Sequence, residues 1–401
     1  MDLTPAFHTS FNQANIDRIF AKCRKVGFIT ADDEELIREY VAEAQVERGL
    51  SIIRAQANSW LLCHWRRFVP HEWRGVTLGH VHQGIAALRE GKTLKGKPYK
   101  QNTIRDFVKE LKPFLRWLHE TDRTSIDMEK VRKIRTPQKD WHTTPASRLL
   151  TEAEVLALIE ACRTSQHRAM IAVLFEGGPR IGELARLKWE DVEIAEEYVG
   201  IHIMDTKERK RRYACLLWGR EYLIKWMNDY PLDPFASGAF VFLNQRRLPH
   251  TYYGVRSILD TITTRAGIER TLNPHLFRKS RITDMVRKGY QESVILESMW
   301  GNLDSAMLRT YVVLAESDIR AEHMEKAGLR KKTAEVPVLA PRQCPKCLTI
   351  HPPTARYCDQ CRSPLTAEAA AKVKAAISLL WTDQEAVMEL AEEMKKKNKG
   401  I

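Results

Sequence analysis

Residues 131–148 read VRKIRTPQKDWHTTPASR, two prolines among polar and basic side chains, in a chain whose flanks both carry apolar residues at helical spacing. Proline removes a backbone donor and fixes φ, so no continuous helical layer runs through such a stretch. The break therefore predicts a linker, and the 401-residue length leaves room for two or three domains.

Ahead of the break, helical periodicity is clear in ELIREYVAEAQ, in SWLLCHWRRFV and in TIRDFVKELKPFLRWLHE (103–120). We expect an N-terminal segment over 1–31 and a helical domain over 32–130, with Trp60, Trp65, Phe114 and Trp117 in its core. The loop KTLKGKPYKQ (92–101) places Thr93 among Lys92, Lys95, Lys97 and Lys100, and Arg105 follows on the next helix. It reads either as a solvated surface loop or as a phosphate-contacting one, since lysine and arginine supply most sequence-independent DNA affinity.

Beyond the break, Thr151 and Glu154 form a capping-box signature before VLALIEAC, which opens a second domain over 149–326. Around 199–218 the pattern turns strand-like, YVGIHIMDT then RRYACLLW, joined by the charged turn KERK. The fold class is thus mostly α with a small β-sheet (α+β). A second linker over 327–343 leads to a cysteine-rich segment, 344–365, and a final helix, 366–401. That helix has Val373, Leu380, Val387 and Met394 at seven-residue intervals, with Ile377 and Leu390 near the same stripe and Asp383 and Gln384 interrupting it. It suits docking on its own domain or on a neighbouring copy equally well.

The cysteines divide in two. Cys23, Cys63, Cys162 and Cys215 are scattered and read as buried free thiols. Cys344, Cys347, Cys358 and Cys361 form two Cys-x2-Cys pairs ten residues apart, the spacing of a tetrahedral structural Zn2+ site with no open position for catalysis. His351, between the pairs, is expected to be a bystander.

Composition limits the partner. With 64 Lys+Arg against 51 Asp+Glu the chain carries +13, which favours an anionic partner, nucleic acid first and anionic membrane second. No apolar run approaches the ~18 residues of a membrane span and the N-terminus lacks a signal-peptide layout, so a cytoplasmic protein is expected.

Four pieces of the second domain carry chemistry. GGPRIGELARLKWEDV places Arg180 and Glu183 at a helix start, DTKERKRR offers Lys207 with Lys210 as runner-up, NPHLFRKS sets His275 and Arg278 on one helical face, and WGNLDSAMLRTYV ends in Tyr311. Each is weak by itself. In order, PRIGEL, TKERKRRYACL, HLFR and G-N-x8-Y closely resemble the tyrosine recombinase (phage integrase) family. The resemblance covers about 148–325 and, more loosely, the preceding helices, where KQNTIRDFVKELKPFLRWL looks like a DNA-clamping core-binding domain. With the appended zinc ribbon, the chain looks similar to integrases of archaeal mobile elements.

The resemblance implies a site-specific recombinase that cleaves and rejoins double-stranded DNA through a 3′-phosphotyrosine, working as a dimer or tetramer on attachment sites and needing no catalytic cofactor. Tyr311 would be the nucleophile and Lys207 the general acid for the leaving 5′-oxygen. Arg180 and Arg278 would be forked donors to the phosphoryl oxygens, His275 a base or donor, and Glu183 an orienting residue for Arg180 or His275. The pattern departs at Asn302, where the family has His or Trp. An amide donates a hydrogen bond but shuttles no proton, and Trp300 stands two residues earlier. Lys279 stands where many relatives carry His. Type IB topoisomerase chemistry and a catalytically silent DNA-binding protein of the same fold are the alternatives.

Overall fold

The computed structural model describes residues 12–141, 144–204, 211–304, 308–314, 316–329 and 337–382. The chain forms two compact units that divide between residues 143 and 144, inside the expected linker.

The first unit is helical: α1 Gln13–Lys25, α2 Ala31–Glu47, α3 Ile52–Trp65, α4 Leu78–Glu90, α5 Gln101–Glu120 and the short α6 Met128–Lys133. The expected boundary at residue 32 is too late. Ile16, Phe20 and Cys23 on α1 are buried in the same core as Leu36, Trp65 and Phe114, so α1 belongs to this unit. The far boundary also moves, because α6 occupies the start of the predicted linker and buries Val131. Asp33 shows how tightly the core is specified: it completes the Thr30 capping box of α2 and ion-pairs with Arg66 at 2.8 Å, both groups buried. Trp65, Phe114 and Trp117 are core as expected, but Trp60 is 38% exposed and stacks on His64 at 4.0 Å. The loop 92–101 is a tight turn closed by the Lys92–Pro98 bridge, with Gly96 at φ +75, and its four lysines are exposed.

The second unit opens with α7 Glu152–Ala161, started by the Thr151–Glu154 capping box, then α8 Ser165–Ala172 and a wide turn over Val173–Gly177. After α9 Ile181–Arg186 come β1 Val192–Ile194, β2 Val199–Met204 and β3 Arg211–Leu216, an antiparallel sheet in sequence order with Met204 paired to Arg211. Next are α10 Arg220–Asn228, α11 Tyr252–Arg265, α12 Pro274–Arg287, α13 Glu292–Trp300, α14 Leu308–Tyr311 and α15 Glu316–Lys326. The main core joins α7, α8, the sheet, α10, α11 and the start of α12, and a smaller cluster of Ile282, Met285, Ile295, Met299, Trp300 and Tyr311 lies beside it.

The predicted second linker is not simply extended. Leu339 enters the main core at 2% exposure, which anchors the cysteine-bearing segment behind it. A two-stranded ribbon, β4 Arg342–Gln343 and β5 Ile350–His351, carries the cysteine pairs, and α16 Ala367–Thr382 comes after it. Val387, Leu390 and Met394 of the expected stripe lie outside the described residues. Cys215 is exposed, against the expectation of a buried thiol, because alternation along β3 turns it outward. No described helix is long and apolar enough to cross a membrane.

Candidate active site

The site is assembled by α9, α12 and the segment from α13 to α14. Arg180 is the N-cap of α9, set in extended backbone just after the left-handed Gly178 (φ +55). From there its amide donates to Glu183 Oε2 at 2.8 Å and its Nη1 to Glu183 Oε1 at 2.7 Å. Of the two partners considered for Glu183, Arg180 is the one it bonds. Burial alone would raise the Glu183 carboxyl, but Arg212 and Arg180 hold it below the usual carboxylate range.

Arg278 lies at 0% exposure on α12, with Nη1 donating to Gly178 O at 2.6 Å and Nη2 to Met299 O. Both partners are neutral carbonyls. Burial, followed by the neighbouring Arg212 charge, pulls Arg278 down to about 10, so it stays cationic at neutral pH. A buried cation whose hydrogen bonds reach only carbonyls is a strong attractor for an anion.

Tyr311 closes the site. Its ring sits 5.4 Å from Trp300 edge-on and 5.1 Å from His275, and the Arg278 guanidinium carbon lies 5.6 Å from its centre. Only 4% of Tyr311 is exposed. The His275 ring keeps an exposed edge, yet crowding and then the Arg278, Lys279 and Arg180 cations push it down to about 4. It is therefore neutral at pH 7 and a weaker base than an ordinary histidine.

Asn302 does not point at this cluster through its carbonyl, which accepts the Asp304 amide at 3.0 Å in a turn after the left-handed Gly301 (φ +61). Trp300 is the residue that touches Tyr311, and its buried Nε1 has no hydrogen-bond partner among the described residues. Lys279 is buried and donates to Thr144 Oγ1 at 3.1 Å, a tie near the start of the unit. Lys207 and Lys210 lie outside the described residues, between the paired ends of β2 and β3. The loop lysines and Arg105, which pairs with Asp106 at 3.7 Å, belong to the helical unit.

One residue of this site escaped the sequence reading. Arg212, 3% exposed on β3, ion-pairs with Glu183 Oε2 at 2.7 Å and donates to Ser298 O at 2.8 Å. The signal was present in the alternation of β3, which puts Arg212 on the inward side with Ala214 and Leu216.

In the ribbon the four cysteine Sγ atoms lie within 4.8 Å of one another, with Cys344 to Cys361 at 3.5 Å and Cys347 to Cys358 at 3.4 Å. A tetrahedron with ~2.3 Å metal–sulfur bonds has edges of ~3.8 Å, so the set can hold a metal ion. His351 is buried beside the set, with Nδ1 3.6 Å from Asp359.

A sequence family described as the phage integrase family matches residues 148–317, the stretch of this chain that carries Arg180, His275, Arg278 and Tyr311. That match covers less than half of the chain. A tyrosine recombinase XerC of Bacillus pumilus (strain SAFR-032) is 29% identical over 165 residues, 40% of this chain and 53% of that protein. A tyrosine recombinase of Thermosipho africanus (strain TCF52B) is 25% identical over 290 residues, 71% of this chain and 95% of that protein. The chain spans about half the length of the first curated relatives it matches. Its fold is similar to that of a XerH site-specific recombinase solved bound to a palindromic difH substrate, with a TM-score of 0.54 at 15% identity, over 80% of this chain and 92% of that one.

Proposed function

We propose that this chain is a site-specific tyrosine recombinase that cuts and rejoins double-stranded DNA through a covalent 3′-phosphotyrosine. The observation that carries the reading is Tyr311 packed against Arg278, a buried cation bonded only to carbonyls among the described residues, with the Arg180–Glu183 pair on the adjoining helix.

The chemistry runs as one displacement in each direction. The Tyr311 phenol loses its proton and attacks phosphorus, the P–O5′ bond breaks, and the departing 5′-oxygen takes a proton from the general acid, the role expected of Lys207. His275, neutral and beside the Tyr311 ring, relays the phenolic proton to solvent, being too weak a base to retain it. Arg180 and Arg278 neutralise the nonbridging oxygens as charge builds there, which removes the need for a catalytic metal. The phosphotyrosyl bond conserves the energy needed for a 5′-hydroxyl to reseal the strand.

The lysines of the 92–101 loop and Arg105 are assigned to DNA phosphates, and the helical unit to clamping the duplex. Dimers or tetramers on attachment sites of a mobile element, in the cytoplasm, complete the proposal. Zn2+ is the ion proposed for the four-cysteine set, with a structural role.

The test is covalent trapping on a nicked duplex carrying candidate attachment sites, read on a denaturing gel. Wild type is expected to give a protein–DNA band that Tyr311→Phe loses while still binding the duplex. Binding without that band across many sites would replace the recombinase by a silent DNA-binding protein, the reading that the turn role of Asn302 favours. Equal relaxation of plasmids lacking any special site would favour a topoisomerase.

A further inference from the structure

Two buried guanidiniums join the same two chain segments at consecutive carbonyls. Arg278 donates to Gly178 O and Met299 O, and Arg212 donates to the preceding carbonyls, Gly177 O at 3.4 Å and Ser298 O at 2.8 Å. The turn that launches Arg180 is thereby tied to the C-terminal end of α13, which carries Trp300 on the way to Tyr311.

The two arginines differ in their charge partners. Arg212 faces Glu183 at 2.7 Å with both side chains 1–2% exposed. Arg278 bonds to carbonyls, and Glu183 acts on it only through space. Glu183 Oε2 receives Arg212 Nη2 and the Arg180 amide, leaving Oε1 for Arg180 Nη1. Removing Arg212 would leave Arg180 as the one cation in direct ion-pair contact with Glu183 among the described residues, and a buried carboxylate draws its remaining bonded counter-charge closer.

We propose that Arg212 is a positioning residue for strand cleavage, which occupies one oxygen of Glu183 so that Arg180 keeps its guanidinium available to the scissile phosphate. This inference rests on the recombinase reading above. It names no contact between Arg212 and DNA.

The experiment compares wild type, Arg212→Met and the double variant Arg212→Met/Glu183→Gln in the trapping assay, with duplex binding and thermal melting measured in parallel. Two substrates are used: ordinary DNA, and DNA with a methylphosphonate at the scissile position, which is neutral and needs little cationic stabilisation. On ordinary DNA, Arg212→Met should slow cleavage on the order of 100-fold, the range for losing one transition-state donor, with binding nearly unchanged. The methylphosphonate should shrink that gap to within about 10-fold, and the double variant should recover part of the rate because the substituted glutamine exerts no charge on Arg180. Equal slowing on both substrates means that Arg212 serves only the fold and overturns the inference. Unchanged cleavage by Arg212→Met overturns it as well. Absence of covalent product from wild type on every substrate removes the recombinase reading itself, a separate result.

Discussion

Arg278 is the residue whose environment is most demanding, since burial without a bonded carboxylate is tolerable only because two carbonyls accept its protons. Lysine places a point charge there and cannot span Gly178 and Met299 together. Arg278→Lys should therefore cut cleavage at least about 100-fold in the trapping assay. Asn302 contrasts with it. Its carbonyl holds a turn at Asp304, so Asn302→Ala should cost about 1 kcal/mol of stability, seen by urea denaturation, and slow cleavage far less than Arg278→Lys. Trp300, two residues before Asn302, is core by burial and yet packs directly on the Tyr311 ring.

At the scale of elements, the site depends on helix ends that cannot drift. Gly301 ends α13 at φ +61, and a Cβ there would come within 2.6 Å of the Arg211 carbonyl at the start of β3. Both neighbours are backbone-fixed, so Gly301→Ala meets a strained conformation and a clash at once. We expect a loss of about 1–3 kcal/mol from the conformation alone, read as a lower melting temperature of the second unit. The sheet itself was legible because Val199–Met204 and Arg211–Leu216 alternate around a charged turn. The helix α1 was left out of the first unit although Ile16, Ile19, Phe20 and Cys23 recur at helical spacing. What the sequence did not say is that this stripe packs on α3, in the same core as the later helices.

For the whole molecule, two linkages set the conditions of stability. The ribbon is anchored by Leu339 in the core and by a 2.8 Å hydrogen bond between Tyr222 on α10 and Thr354. If the four cysteines hold the proposed Zn2+, a chelator should loosen the ribbon and lower the melting temperature of the second unit by a few degrees, roughly 1 kcal/mol. Tyr222→Phe should reproduce a fraction of that shift with metal present. The second linkage is to pH. Burial pushes His250 down to about 4 from an ordinary 6.5, so the unfolded chain binds its proton first. Its contribution is present above pH 6.5 and is lost as pH falls toward 4. His250→Gln should flatten that part of the curve in denaturant titrations at about pH 4.5, 5.5 and 7. The sequence by itself determined the spacing of the four ribbon cysteines, the sheet strands and a break in the helical pattern that holds the division near residue 143. Each is written locally, in motifs a few residues long or in a run that cannot be helical. Only the tertiary structure decided that Arg212 joins Glu183, that Arg278 shares its two anchoring segments, and that Leu339 ties the ribbon down. Those contacts join positions 29 to 187 residues apart, and which of them meet is fixed by packing, which no local pattern encodes.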